Sequence, residues 1–176
     1  MYRPAEKADG CAVHRLLLMR HARAAWSQDE ADQERSLGER GRLEAQQMGQ
    51  RLSARQFKPQ TLICSPASRA RETAEIVGHL LGFDAQRIIH ADALYLASPD
   101  TLISQIQTHS DSQDLMVVGH NPGLTGLVNR LAAGRIDNMP TAAYAWFEIG
   151  GGVFSAKNPY PASIDFPANP GDPFAA

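Results

Sequence analysis

The chain has little cysteine: Cys11 and Cys64 are its only two in 176 residues. Two are too few for a disulfide framework and do not have metal-site spacing, so a reduced, cytoplasmic protein is expected. Long apolar stretches are also lacking. The first ten residues are polar, and the apolar run after them is far too short for a signal peptide or a membrane span. Neither secretion nor membrane association is expected. Charge of neither sign is in excess: the formal net charge is −2 and the pI about 6.3. Bulk attraction to nucleic acid or to an anionic membrane is thereby excluded. No internal repeat is visible. A hydrophobic content of 43% supports one well-filled core at this length, not comfortably two domains.

What is present is an alternation of short apolar runs with amphipathic stretches, which predicts βαβ units and a mostly parallel sheet. The runs lack polar alternation, as expected of strands covered on both faces. Strands are predicted over His14–Met19, Thr61–Cys64, Arg87–His90, Leu115–Gly119 and Ala142–Glu148. Gly150-Gly151 reads as a hairpin turn into a further strand over Gly152–Ser155, giving one antiparallel edge. The fold class is α/β, a three-layer α/β/α sandwich with helices on both faces of the sheet.

Helices are predicted over Glu39–Ala54, with Ala45, Met48, Gly49 and Leu52 on one face, and over Pro66–Leu81, with Ala70, Thr73, Ala74, Val77 and Leu81. Leu124, Leu127, Val128 and Leu131 give a third stripe at helical spacing. Ser65-Pro66, Ser98-Pro99 and Asn121-Pro122 each place a capping side chain before a proline at the first helical position. Residues 1–12 read as a loose leader, 13–156 as the domain and 157–176 as a proline-rich tail. Pro167, Pro170 and Pro173 share the period of a polyproline II face, but a loose or surface-hugging tail is the better reading.

Three strands end in chemistry. Arg20-His21 follows the first, Ser65-Pro66-Ala67-Ser68-Arg69 the second and His120-Asn121-Pro122-Gly123 the fourth. In an open α/β sheet ligands gather beyond the carboxyl ends of the strands. Helix N-termini there favour an anion, and paired guanidiniums bond phosphate oxygens in a bidentate way. Alone, His21 would more often be structural, and the Gly-His-Asn-Pro turn could be merely a capped connection. His14, His79, His90 and His109 have no such context and read as surface or packing residues. Histidines, arginines and caps meeting at strand ends point instead to a site that handles a phosphoryl group.

Leu17-Leu18-Met19-Arg20-His21-Ala22, Ser65-Pro66-Ala67-Ser68-Arg69-Ala70 with Glu72-Thr73-Ala74, and Val118-Gly119-His120-Asn121-Pro122-Gly123-Leu124 together resemble the histidine phosphatase superfamily. More narrowly they are similar to its small SixA-type branch of protein phosphohistidine phosphatases. The resemblance runs from about Leu16 to Met139-Pro140-Thr141. It implies a phosphoglycerate mutase-like fold and a phosphatase that needs no cofactor and no metal. His21 would be the nucleophile that becomes phosphorylated, Arg20 and Arg69 would clamp the phosphoryl oxygens, and His120 would stabilise the transition-state charge. Arg35, in the segment Asp32-Gln33-Glu34-Arg35-Ser36-Leu37, is a further candidate, as are Arg23 and Asn121. The implied partner is a phosphorylated protein carrying phosphohistidine, and inorganic phosphate or sulfate is expected to fit the same site.

Two departures stand out. Larger family members place an acid after the third strand, whereas this chain reads His90-Ala91-Asp92-Ala93-Leu94-Tyr95-Leu96 without the glutamate. Asp92 is a candidate acid, placed slightly early. A histidine nitrogen leaves more easily than an alkoxide, so the missing acid favours phosphohistidine as substrate. Gly38 replaces the usual threonine before a helix and is an acceptable N-cap.

Three rival readings remain. A cysteine-dependent phosphatase built on Cys64 would need arginine where Ala70 stands. A small-molecule phosphomonoesterase or mutase would use the same nucleophile, although the chain has little material for a lid. A non-catalytic phosphate-binding adaptor would be expected to lack His21.

Overall fold

In the computed structural model, residues 15–26, 29–109, 111–132, 136–149, 154–155, 160 and 162–167 are described. The expected leader, Cys11, His14 and most of the proline-rich tail lie outside them.

The apolar runs become strands because both of their faces are covered. Leu16, Leu17, Leu18 and Met19 have no exposed surface at all. They form β1 (Arg15–Arg20), followed by α1 (Glu39–Ala54), β2 (Thr61–Cys64), α2 (Ser68–Leu80) and β3 (Ile89–His90). The chain continues through α3 (Pro99–Thr108), β4 (Asp114–Gly119), α4 (Gly123–Leu131), β5 (Tyr144–Glu148) and β6 (Ala162–Asp165). The six strands make one sheet in the order β3-β2-β4-β1-β5-β6. The β3-β2, β2-β4 and β4-β1 pairs are parallel, and the β1-β5 and β5-β6 pairs antiparallel.

Strand alternation sends side chains into two cores. Leu16, Leu18, Leu115 and Val117 pack with Leu102 and Ile106 of α3 and Leu124, Leu127 and Leu131 of α4. Leu17, Met19, Met116 and Val118 pack with Ala45, Met48 and Leu52 of α1 and Ala70, Ala74 and Val77 of α2. The result is the three-layer α/β/α sandwich. Each fully buried Leu or Met contributes about 1.5–3 kcal/mol.

Register fixes the site. Arg20 pairs with Gly119, so the residues after β1 and after β4 emerge side by side. Cys64 pairs with Val118, which sets Ser65 beside the same edge.

Several local expectations change. The edge partner of β5 is Ala162–Asp165 rather than Gly152–Ser155. Phe154 and Ser155 are outside any strand, and Gly150-Gly151 lies outside the described residues. The sheet therefore continues into the stretch expected to be a loose tail. Side chains explain why this short segment is retained: Arg51 of α1 meets Asp165 at 2.7 Å and Arg55 donates to Ser163 Oγ at 3.0 Å. Ser98-Pro99 caps α3 as expected, the serine accepting from Thr101 N. Ser65 does not cap α2, which begins three residues later after Ala67, and α4 begins at Gly123 rather than at Pro122.

Candidate active site

Beyond the carboxyl ends of the parallel strands lies an open cleft of about 640 Å³. Arg20, His21, Arg23 and Ala24 line it from the end of β1, and Asp32 and Arg35 from the loop that follows. Arg69 enters from the first turn of α2, Leu96 from the loop after β3, His120 and Asn121 from the end of β4, and Thr141 from the turn before β5. Four guanidiniums thus face one carboxylate, which makes the cleft an anion site.

The backbone at His21 is fixed on both sides. Its N–H donates to Gly119 O at 3.1 Å, and its carbonyl accepts from Ala142 N at 3.2 Å. Thr73 ties the next residue to α2: its hydroxyl accepts from Ala22 N at 3.0 Å and donates to Arg69 O at 2.7 Å. One threonine therefore couples the position of His21 to that of Arg69.

The imidazole of His21 has an assigned direction. Its Nδ1 lies 2.8 Å from Ala22 O, and a carbonyl can only accept, so the proton sits on Nδ1. Its Nε2 accepts from Arg69 Nε at 3.3 Å, which leaves that nitrogen with its lone pair in the cleft. Burial, opposed by the Ala22 hydrogen bond and reinforced by Arg69 and Arg20, lowers its pKa to about 4. His120 lies beside it, ring centroids 4.9 Å apart. Burial and then the neighbouring His21 and Arg69 lower the His120 pKa to about 3. Both rings are neutral at pH 7.

Arg69 is held by Asp32, its Nη2 donating to Oδ2 at 2.8 Å and its Nη1 to the Asp32 carbonyl. Tyr95 donates to the same Oδ2 at 2.8 Å, and Arg35 Nη1 to Oδ1 at 3.2 Å. The Tyr95 bond first, and Arg69 next, hold the Asp32 carboxyl down at about 2. Arg20 Nη1 donates to Met139 O at 2.7 Å, while its buried Nε has no partner among the described residues. Asn121 braces the same carbonyl through Nδ2 at 3.0 Å, and its Oδ1 accepts from Thr125 N and Oγ1. The amide of Asn121 is thus engaged with protein rather than free for a ligand. Arg23 lies over the buried Glu44, which also accepts from Thr141 Oγ1 at 3.0 Å.

Of the residues singled out from sequence, Arg20, His21, Arg23, Arg35, Arg69, His120 and Asn121 come together at the cleft. Asp92 does not: it lies exposed in a single 3-10 turn and is absent from the cleft lining. Ordering of that turn sends Leu94 into the core and Tyr95 towards Asp32, leaving Asp92 on the outside. Asp32, Ser65, Tyr95 and Thr141 are among the residues that sequence reasoning did not assign to the site. Asp32 had a signal in its place three residues before Arg35, and Ser65 and Thr141 in the motif segments that carry the resemblance. Cys64 is buried, and burial pushes its thiol up to about 12, so it is a packing residue and no nucleophile. Among the described residues no cluster of His, Cys, Asp or Glu could hold a metal ion, and no helix is long and apolar enough to cross a membrane.

Known proteins resemble this chain in sequence and in fold. The sequence model of the histidine phosphatase superfamily (branch 1) matches residues 16–94. An uncharacterized protein of Mycobacterium tuberculosis is 36% identical over 144 residues, covering 76% of this chain and 88% of that one. The crystal structure of the putative phosphohistidine phosphatase SixA from Agrobacterium tumefaciens superposes with a TM-score of 0.76 at 27% identity, covering 89% of this chain and 99% of that one. A structure of the protein histidine phosphatase SixA complexed with tungstate shares the fold, with a TM-score of 0.68 at 23% identity over 86% and 94% of the two chains. The chain belongs to the histidine phosphatase superfamily, in its SixA-type branch, and is a histidine-dependent phosphatase.

Proposed function

We propose that the protein removes the phosphoryl group from phosphohistidine on a partner protein, through a covalent intermediate on His21. The observation that carries this reading is the fixed His21 tautomer, whose Nε2 lone pair opens among guanidiniums. Nε2 attacks phosphorus in line, a P–N bond to His21 forms, and the P–N bond to the substrate imidazole breaks. Water then attacks the phosphoryl group on His21, releasing inorganic phosphate and a proton and restoring the free imidazole. Two moderate steps replace one difficult hydrolysis.

Arg69 exchanges its hydrogen bond to Nε2 for a phosphoryl oxygen, so substrate binding itself uncovers the nucleophile. Arg20, whose Nε has no partner among the described residues, bonds a second oxygen. Arg23 and Arg35 add charge at the mouth, and His120 donates to the oxygens as charge builds on them.

The leaving group follows from Asp32. Held at about 2, this carboxyl is ionised throughout the working range and has no proton to give. An alkoxide departs badly without a proton, whereas a substrate imidazole already protonated on its far nitrogen leaves as neutral imidazole and needs none from the enzyme. The superposition on the Agrobacterium SixA structure supports the same substrate class, and the openness of the cleft suits a phosphoryl group carried on a protein surface.

Turnover measured across donors tests the reading. Phosphohistidine protein is expected to be hydrolysed about 10²-fold or more faster than alkyl phosphomonoesters, the range that acid assistance supplies. Equal or faster turnover of alkyl phosphomonoesters would establish the small-molecule alternative instead.

A further inference from the structure

Ser65 follows β2 with no exposed surface, and its place before Pro66 is that of a helix cap. The helix starts too late for that role, and the hydroxyl is directed elsewhere. Its Oγ lies 2.7 Å from Nε2 of His120, itself only 3% exposed. The same Oγ accepts from Ala67 N at 3.3 Å. The other ring nitrogen of His120, Nδ1, is buried with no partner among the described residues.

We infer that Ser65 sets the tautomer of His120: its hydroxyl donates to Nε2, so that Nδ1 carries the ring proton offered to the phosphoryl oxygens. In the free protein, each tautomer leaves one buried hydrogen unmet among the described residues: that of Ser65 if Nε2–H donates to Oγ, that of Nδ1 if the serine donates. A phosphoryl group in the cleft separates them. Nε2 is taken by Ser65, so Nδ1 is the ring nitrogen left to meet the anion, and a neutral imidazole has one N–H to place. Only the Nδ1–H form then satisfies both hydrogens, because Oγ accepts from Ala67 and gives its own hydrogen to Nε2.

The consequence is chemical. A neutral His120 in the other tautomer would turn a lone pair towards anionic oxygens, and would repel the charge it is needed to stabilise. Ser65 acts through His120 and is therefore a positioning residue. Its effect grows as phosphoryl charge builds, so its loss is read in kcat more than in KM. The proposal rests on the phosphoryl reading of the site, but the tautomer with an anion bound is read without turnover.

The experiment is nitrogen NMR of the full chain labelled with 15N-histidine at pH 7 in saturating inorganic phosphate, with His120 assigned by its loss in His120→Gln. Wild type is expected to show a protonated Nδ1 and an unprotonated, hydrogen-bonded Nε2. Ser65→Ala should move the ring towards the Nε2–H form and lower kcat about tenfold on phosphohistidine protein, with KM changed less than threefold. Ser65→Thr, which keeps the hydroxyl, should restore the Nδ1–H signature. A wild-type Nε2–H tautomer overturns the role of Ser65 even if Ser65→Ala does not fold, as does an unchanged kcat in a folded Ser65→Ala. Failure of the phosphatase reading looks different: no donor is turned over while the predicted tautomer is present.

Discussion

A histidine is a useful nucleophile only while one ring nitrogen is unprotonated, and burial beside two arginines secures this for His21. Its pKa near 4 places protonation well below the ordinary value of 6.5. Titration followed by imidazole NMR should show His21 charging near pH 4; a midpoint near 6.5 would remove the physical basis of the nucleophile. The sign for stability follows. Between about pH 6.5 and 4 the unfolded chain binds protons that folded His21 and His120 refuse, so stability falls as pH drops through that window. The thermal midpoint should decline from pH 7 to pH 4, and less so in a His21→Gln, His120→Gln double variant. Asp32 offers a second residue-scale test, because its carboxylate occupies the guanidinium that a phosphoryl group needs. Asp32→Asn should bind inorganic phosphate or tungstate about tenfold more tightly, about 1.4 kcal/mol, by calorimetry. Weaker binding would mean that Asp32 serves mainly to orient Arg69. At this scale much was legible: arginine and histidine at strand ends have few structural uses in combination. Tyr95 was not, because its hydrogen bond to Asp32, 63 residues away, leaves no mark on local pattern.

Elements position these side chains through a few close approaches. Gly41, in the first turn of α1, is one: a Cβ there would lie 2.0 Å from Arg23 O. Gly41→Ala must push the helix from the chain carrying Arg23, and should cost about 1–3 kcal/mol by denaturant unfolding and weaken phosphate binding. Gly123, opening α4, meets Ala97 O in the same way, at 1.9 Å. Thr73 is the polar counterpart. Thr73→Val keeps the volume but strands the buried Ala22 N–H, which should cost about 1–3 kcal/mol and lower kcat as His21 and Arg69 lose their common tie. Undiminished kcat in a folded Thr73→Val would show that the tie is structural only. The helices themselves were readable from apolar spacing, and α1 spans the predicted Glu39–Ala54. Helix starts were less so. Ser65-Pro66 and Asn121-Pro122 carry cap chemistry, yet Ser65 is directed to His120. Asn121 caps one residue early, through Thr125. A cap sequence states what a side chain can accept, not which neighbour reaches it first.

For the molecule as a whole, the sheet order brings β1, β4 and β2 into adjacent places, so three strand ends distant in sequence converge on one cleft. Contiguous apolar runs announced these central strands because burial on both faces demands such runs. The edge was harder to read. β6 is Ala-Ser-Ile-Asp, half-exposed and set among prolines, and it is fixed by Arg51 of α1 and by Arg55 just after it rather than by an apolar run. Truncation before Ala162 should therefore lower the thermal midpoint and leave β5 as an open edge prone to aggregation; an unchanged midpoint would mark the segment as the loose tail its composition suggests. The central claim, however, is covalent. Rapid mixing with a radiolabelled phosphohistidine protein, followed by quenching in alkali and in acid, tests it most directly. The account predicts label on the enzyme that survives alkali, is lost in acid and is absent from His21→Ala. Turnover without such a label, or label that persists in His21→Ala, would contradict it.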